Sequence, residues 1–214
     1  LARWVDPERG LLSPADFIPI LESSRLIYKL DLHVLDQVLE KMKRQADAEL
    51  YVVPQSINLS RTDFDEEGFV DEICRRVDAV GIERGKLTIE ITESVVGSDF
   101  TFMKEQIERL SRLGFKVWMD DFGSEYSTLN LLEELNFDLI KVDMQFMRNF
   151  TTGGRNAIIL ADIIGMCRRL GITTLVEGVE TQEQYDILRQ LGTDKLQGYL
   201  FSRPSTLDEL FGNE

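Results

Sequence analysis

The segment Leu87-Thr88-Ile89-Glu90-Ile91-Thr92 alternates apolar and polar residues strictly, the period of a strand whose two faces meet different surroundings. Comparable apolar runs at 1–5, 51–59, 115–119, 137–142, 172–176 and 195–200 predict about seven strands in all. Between them the period lengthens to that of helices. Over 30–45, Leu32, Leu35, Val38, Leu39 and Met42 recur at helical spacing with Asp31, Asp36, Glu40 and Lys41 between them, and Ile107, Leu110 and Leu113 repeat the pattern. Ser13-Pro14-Ala15-Asp16 supplies an N-cap hydroxyl, a proline at the first helical position and a carboxylate at the third, so a helix is expected from there to about Glu22. Gly81, Gly114, Gly171 and Gly192 each stand between a helical stretch and a strand, where a left-handed residue ends the helix. Helix, glycine and strand repeating in order imply an α/β fold with parallel strands, one strand short of an eight-stranded barrel. A chain of 214 residues with 43% hydrophobic content suits one such domain, and no linker or low-complexity tract marks a second.

Charge narrows the partners. Lys and Arg number 24 against 38 Asp and Glu, a net charge of −14, and the sequence pI is near 4.6. Non-specific attraction to nucleic acid or to an anionic membrane is therefore not expected, and a phosphate-bearing substrate would need a metal or local cations. Cys74 and Cys167 lie in helical stretches without paired or metal-like spacing and are expected as free thiols. No run reaches transmembrane length and no leader or lipidation motif is visible, which points to a cytoplasmic domain without membrane contact. His33, the single histidine, falls on a helix and is expected at the surface or packed. Trp118 and Phe115 are expected in packing, and the stretch from Asp63 to Glu67 at a solvated helix start.

The chemistry sits at the strand ends. Ile57-Asn58-Leu59-Ser60, Ile89-Glu90-Ile91-Thr92-Glu93, Met119-Asp120-Asp121-Phe122-Gly123, Ile140-Lys141-Val142-Asp143 and Val176-Glu177-Gly178-Val179-Glu180 each follow apolar residues with acidic or amide groups. In a parallel barrel the C-terminal ends of strands form one rim, so this repetition predicts a single polyanionic pocket. Strand parity places Glu90 with Thr88 and Thr92, Asp120 with Lys116 and Trp118, Lys141 with Asp143, and Glu177 with Thr173 and Leu175. Crowded carboxylates require neutralising cations, and oxygen donors suit Mg²⁺ or Mn²⁺. Asp121-Phe122-Gly123 also spells a kinase metal-binding triplet, but neither a Gly-rich loop nor a His-Arg-Asp loop accompanies it.

These words, with Leu1-Ala2-Arg3-Trp4, Phe17-Ile18-Pro19, Glu177-Gly178-Val179-Glu180-Thr181 and Gln197-Gly198-Tyr199, make the chain resemble the EAL domain of bacterial cyclic di-GMP phosphodiesterases over essentially all of residues 1–214. The resemblance implies a modified TIM-like (β/α)₈ barrel with one antiparallel strand, hydrolysing cyclic di-GMP to linear pGpG with two ions of Mg²⁺ or Mn²⁺. It implies that Asn58, Glu90 and Asp120 bind one ion, that Asp120 and Asp121 reach the second, and that Glu177 completes that site directly or through water. Lys141 would orient or deprotonate the attacking water. Leu1, Arg3, Asp143, Gln197 and Tyr199 would contact substrate, Arg3 at a phosphate and Gln197 and Tyr199 on the guanine side. Glu93 and Glu180 would hold the loop and the lysine. A homodimer, and an upstream sensory or GGDEF-type domain in the intact protein, are further implications.

Two departures from the family pattern stand out. The chain opens at the Leu of the Glu-Ala-Leu signature, so the signature Glu and the first strand are expected to be missing from it. After Asp121 the family prefers Gly-Thr-Gly-Tyr, where this chain reads Gly123-Ser124-Glu125-Tyr126. Glu125 adds a Cβ and a carboxylate to a loop that, in the family, links the metals to the dimer face. The alternative to an enzyme is accordingly a catalytically weak EAL domain that binds cyclic di-GMP as a sensor or serves as a dimerisation scaffold. An enolase-like Mg²⁺ barrel would explain neither Asn58-Leu59-Ser60 nor Gln197-Gly198-Tyr199.

Overall fold

The computed structural model describes residues 2–124, 128–148, 150–151 and 153–204. Two compact units divide it, one formed by Leu1–Trp118 with Leu129–Phe137, the other by Met119–Thr128 with Asp138–Glu214.

The first unit opens with an antiparallel ribbon, β1 (Trp4–Asp6) against β2 (Gly10–Leu12), in register Trp4↔Leu12 and Val5↔Leu11. The strand expected at 1–5 is thus part of a separate two-stranded sheet. The cause is local: Asp6 Oδ1 accepts the N–H groups of Glu8 at 2.9 Å and Arg9 at 2.8 Å, an Asx turn that reverses the chain. Helix α1 (Pro14–Ser23) starts as expected, with Ser13 N–H donating to Asp16 Oδ2 at 3.0 Å in a capping box. Helix α2 (Ile27–Asp47) buries Leu35, Leu39 and Met42. Strand β3 (Gln55–Asn58) is shorter than the expected 51–59, because Pro54 lacks a ladder donor and Tyr51 stays exposed beneath Lys86 Nζ, 4.4 Å from its ring centroid.

Helix α3 (Phe69–Val80) ends at Gly81, and β4 (Leu87–Thr92) follows, parallel to β3 with Asn58 opposite Glu90. The strict alternation in β4 does not mark a solvent face, for Thr88 and Glu90 are buried along with Ile89 and Ile91. Helix α4 (Glu93–Ser98), unforeseen from the sequence, leads to α5 (Phe100–Arg112), whose Met103, Ile107 and Leu110 are buried. Strand β5 (Lys116–Phe122) buries Val117, Met119 and Phe122. Helix α6 (Thr128–Glu134) has no counterpart in the sequence reading.

A further expectation in this unit fails. Asp63 is fully buried rather than solvated. It sits in a 3₁₀ turn at Arg61–Asp65, where its Oδ2 accepts Ser60 N–H at 2.7 Å. Burial, the largest cause, together with the neighbouring Asp63 pushes Asp31 of α2 up to about 9, and burial raises Asp63 to about 6. Glu22 adds repulsion from α1, while its Oε1 accepts Ser60 Oγ–H at 3.1 Å. Asp31 and Asp63 face one another, and among the described residues Asp63 Oδ1 has no donor, an arrangement that a proton on Asp31 would satisfy.

In the second unit, β6 (Leu139–Val142) leads through a 3₁₀ turn at Met144–Met147 to α7 (Arg155–Leu170), β7 (Thr173–Val176), α8 (Gln182–Leu191) and β8 (Lys195–Leu196). Pairing is parallel from β6 to β7 and from β7 to β8, and the six-stranded sheet has the order β3-β4-β5-β6-β7-β8. Leu160, Ile164, Cys167, Val176 and Leu188 are buried. The strand expected at 195–200 stops at Leu196 because the chain turns about Val179: Val179 N–H donates to Gln197 O at 3.1 Å and Leu200 N–H to Val179 O at 3.0 Å. A Cβ on Gly198 would lie 2.1 Å from Val179 O, so only glycine fits there. Cys74 and Cys167 are buried and free. His33 Nε2 pairs with Gln37 Nε2 at 3.0 Å on the surface. Among the described residues no helix is long and apolar enough to cross a membrane.

Candidate metal centre

Four of the expected site residues meet in the second unit. Successive side chains of a regular strand point to opposite faces. Asp120 and Asp121 nevertheless share a cluster, because Asp121 leaves the strand conformation at φ +55° and its N–H donates to Asp120 Oδ1 at 3.0 Å. Glu177 is the first residue after β7, its N–H held by Val142 O at 3.2 Å. Asp120, Asp121 and Glu177 each offer a carboxylate oxygen, all within 4.8 Å of one another.

Lys141 of β6 is 8% exposed and places Nζ 2.9 Å from both Asp120 Oδ1 and Glu177 Oε1. A buried ammonium between two carboxylates holds them at fixed separation and answers one of three negative charges. The rest of the imbalance falls on Asp121: burial first, then the charges of Asp120, Asp143 and Glu177, against the pull of Lys141, push it up to about 6. An all-oxygen donor set with uncompensated negative charge fits a hard divalent cation of the Mg²⁺ or Mn²⁺ kind. Asp143 joins this field electrostatically, while its Oδ1 accepts Gln145 N–H at 2.6 Å and caps the 3₁₀ turn.

The first unit carries its own acidic group. Asn58 ends β3 with its side chain exposed, opposite Glu90 in register, and Leu59 N–H donates to Glu90 O at 3.0 Å. Glu90 and Glu93 are 6% and 2% exposed, Glu93 at the start of α4, where the helix N-terminus favours an anion. Arg3 is exposed and donates Nη1–H to Ala2 O at 2.9 Å, beside an apolar cavity of about 500 Å³ lined by Trp4, Phe17 and Leu30.

The remaining candidates are placed less centrally. Gln197 is tied by its main chain, its N–H to Val176 O at 3.0 Å. Tyr199 is exposed, with the Arg203 guanidinium 4.5 Å above its ring. Glu180 is exposed and its N–H donates to Gln184 Oε1 at 2.7 Å. Leu1 and Glu125 lie outside the described residues. Sequence reasoning missed why glycines follow the acids. Gly123 (φ +88°) and Gly178 (φ +75°) are so closely packed that a Cβ would lie 2.6 Å from the Phe146 ring in the one case and 2.7 Å from Met144 Cβ in the other. Nothing in the local pattern distinguishes these two from the helix-ending glycines.

Comparisons with known proteins give the family. The EAL domain family model matches residues 1–204. MucR of Pseudomonas aeruginosa, a bifunctional diguanylate cyclase/cyclic di-GMP phosphodiesterase, is 32% identical over 213 residues, covering 100% of this chain and 31% of MucR. The cyclic di-GMP phosphodiesterase PA2567 of the same organism is 30% identical over 210 residues, 98% of this chain and 36% of that protein. The chain therefore spans about a third of the length of these curated relatives. The structure of the MucR phosphodiesterase in complex with c-di-GMP matches with a TM-score of 0.89 at 32% identity, over 97% of this chain and 84% of that one. The FimX EAL domain from P. aeruginosa, bound to c-di-GMP, shares the fold with a TM-score of 0.87 at 22% identity, over 95% of this chain and 81% of that one. Strand-end acids, a parallel α/β sheet and a family match over residues 1–204 lead to one statement: the chain belongs to the EAL domain family.

Proposed function

We propose that this domain hydrolyses cyclic di-GMP to linear pGpG, using two Mg²⁺ or Mn²⁺ ions. The observation that carries the reading is the buried Lys141 ammonium bridging Asp120 and Glu177 beside an Asp121 carboxyl held high by its neighbours. Asp120, Asp121 and Glu177 are the proposed ligands of this cluster. The family resemblance adds Asn58 and Glu90 to the set, each at or near the C-terminal end of its own strand. Bound divalent ions would supply neutralisation of the phosphate charge and acidification of the attacking water. As an ammonium, Lys141 would hold the carboxylate spacing and donate an N–H to the oxygen of that water, orienting it for in-line attack; only as the neutral amine could it take the water's proton. Arg3 is proposed to meet a phosphate, Asp143 to contact the substrate, and Gln197 and Tyr199 to line the guanine side. Glu93 and Glu180 support the surrounding loops. MucR and PA2567 are named for the same chemistry, which supports the substrate assignment. A homodimer, a cytoplasmic setting and a neighbouring GGDEF-type or sensory domain belong to the same proposal.

The test is turnover of cyclic di-GMP by the intact protein, followed by chromatography of pGpG with Mg²⁺ or Mn²⁺ and with chelator. Metal-dependent pGpG formation supports the enzyme. Tight nucleotide binding without product under every metal favours the sensor reading suggested by Glu125. In that case Glu125→Gly is expected to restore turnover severalfold.

A further inference from the structure

The 3₁₀ turn at Met144–Met147 touches both loops that carry the acidic cluster. Its Met144 packs against Gly178, the residue after Glu177, and its Phe146 packs against Gly123, two residues after Asp121. The main chain repeats the linkage. Asp143 N–H donates to Phe122 O at 3.3 Å, and Glu177 N–H donates to Val142 O at 3.2 Å. One side chain completes it: Gln145 is exposed, yet its Nε2–H donates to Gly123 O at 3.0 Å, while its own N–H is fixed by Asp143 Oδ1 at 2.6 Å.

We propose that this turn sets the spacing of the Asp121 and Glu177 carboxylates, and that Gln145 is the positioning residue that pins the Asp120-Asp121-Phe122-Gly123 turn to it. The inference rests on the metal-site reading above. Asp121 holds a left-handed backbone conformation, uncommon for a residue with a Cβ although aspartate tolerates it better than most, so contacts on the following residues help to hold it. Two such contacts lie just beyond it, the Phe146 ring on the Gly123 Cα and the Gln145 amide on the Gly123 carbonyl. The ring contact is part of the packing. The amide contact is made by a surface side chain that contributes nothing to the core, so it can be removed without emptying a cavity. A ligand carboxylate displaced by a few tenths of an ångström coordinates poorly, and removal of groups that orient metal ligands weakens metal binding by roughly 10- to 100-fold.

The experiment measures Mn²⁺ binding to the intact protein by electron paramagnetic resonance of free Mn²⁺, with thermal melting in chelator as the control for folding. Gln145→Met keeps the length and removes the donor; Gln145→His restores an N–H at similar reach. The expected result is a Kd about 10-fold weaker for Gln145→Met with the chelator melt unchanged, and recovery of most of that loss in Gln145→His. Gln145→Met binding Mn²⁺ as tightly as wild type would overturn the positioning role. So would a loss of affinity matched by a lowered melting temperature and not recovered by histidine, since that marks a merely structural residue. Asp121→Asn separates this failure from failure of the metal site itself. If wild type binds Mn²⁺ and Asp121→Asn does not, the site stands whatever Gln145 does; if wild type binds none, the reading beneath the proposal falls.

Discussion

The Asp31–Asp63 pair predicts a pH dependence that one substitution should remove. Asp31 lies near 9 in the folded chain against an ordinary value of 3.8, chiefly through burial and then through Asp63. The groups facing the pair are Glu22 from α1 and the Ser60 N–H. The nearby guanidinium of Arg61 is paired with Asp65 and Asp99, and that of Arg76 with Glu72 and Asp36. Between the two values the folded chain holds a proton that the unfolded chain has released. Raising the pH through that window therefore lowers stability, by at most about 1.4 kcal/mol per pH unit for one proton.

Asp31→Asn replaces the titrating carboxyl by an amide that carries N–H donors beside Asp63 at every pH. The variant should match wild type near pH 5 and be the more stable above it, the gap opening by up to about 3 kcal/mol between about pH 6 and 8. Urea unfolding followed by tryptophan fluorescence at about pH 5, 6, 7 and 8 measures the gap directly, provided the m-value is unchanged. A gap that stays flat with pH would refute the proton on Asp31, and a variant less stable than wild type at about pH 8 would show that Asp31 is needed as an anion.

Other outcomes follow from the same geometry. Lys141→Met should lower turnover of cyclic di-GMP by about 100-fold or more, a larger factor than its loss of Mn²⁺ affinity, because the ammonium that orders the carboxylates and the water is lost while all three carboxylates stay; steady-state kinetics with a Mn²⁺ titration checks it, and undiminished turnover would remove Lys141 from the chemistry. Alanine at three glycines should destabilise in the order Gly198, Gly178, Gly123 by thermal melting, since the new Cβ meets rigid Val179 backbone at 2.1 Å, Met144 Cβ at 2.7 Å and the edge of the Phe146 ring at 2.6 Å. The ring can rotate away, whereas the Val179 main chain cannot, so an inverted order would contradict the packing. Asp63→Ala should cost about 1 kcal/mol or more in urea unfolding, because Ser60 N–H loses its cap.

Local rules made much of this fold legible. The capping box at Ser13 and the apolar stripe of α2 needed only near neighbours, and both were found where expected. Apolar runs revealed most strands but not their limits. Pro54, the Asx turn at Asp6 and the close approach of Gly198 to Val179 each cut or redirect a run that composition alone would extend. Asp63 shows the deeper limit. The capping box it makes with Ser60 went unread, and the charge-rich sequence that follows hid its burial beside Asp31 of another helix.

The candidate site divides in the same manner. Parity correctly put Asp120 beside Trp118 on the half-buried side of β5, opposite Val117 and Met119. The alternation of a regular strand, extended one residue further, would turn Asp121 away from Asp120. The left-handed turn at Asp121 reverses that implication, and a single dihedral is invisible in a hydrophobicity pattern. The roles of Arg3, Gln197 and Tyr199 came from resemblance to the family, and their chain positions supply no independent chemical argument.

The central claim is that Asp120, Asp121 and Glu177 hold the divalent ions needed for hydrolysis. Anomalous diffraction from crystals of the intact protein grown with Mn²⁺ and cyclic di-GMP tests it most directly. The account predicts anomalous peaks within coordination distance, about 2.0–2.3 Å, of these carboxylate oxygens, with a substrate phosphate touching the same ions. Nucleotide bound with no peak at Asp120, Asp121 or Glu177 would contradict it.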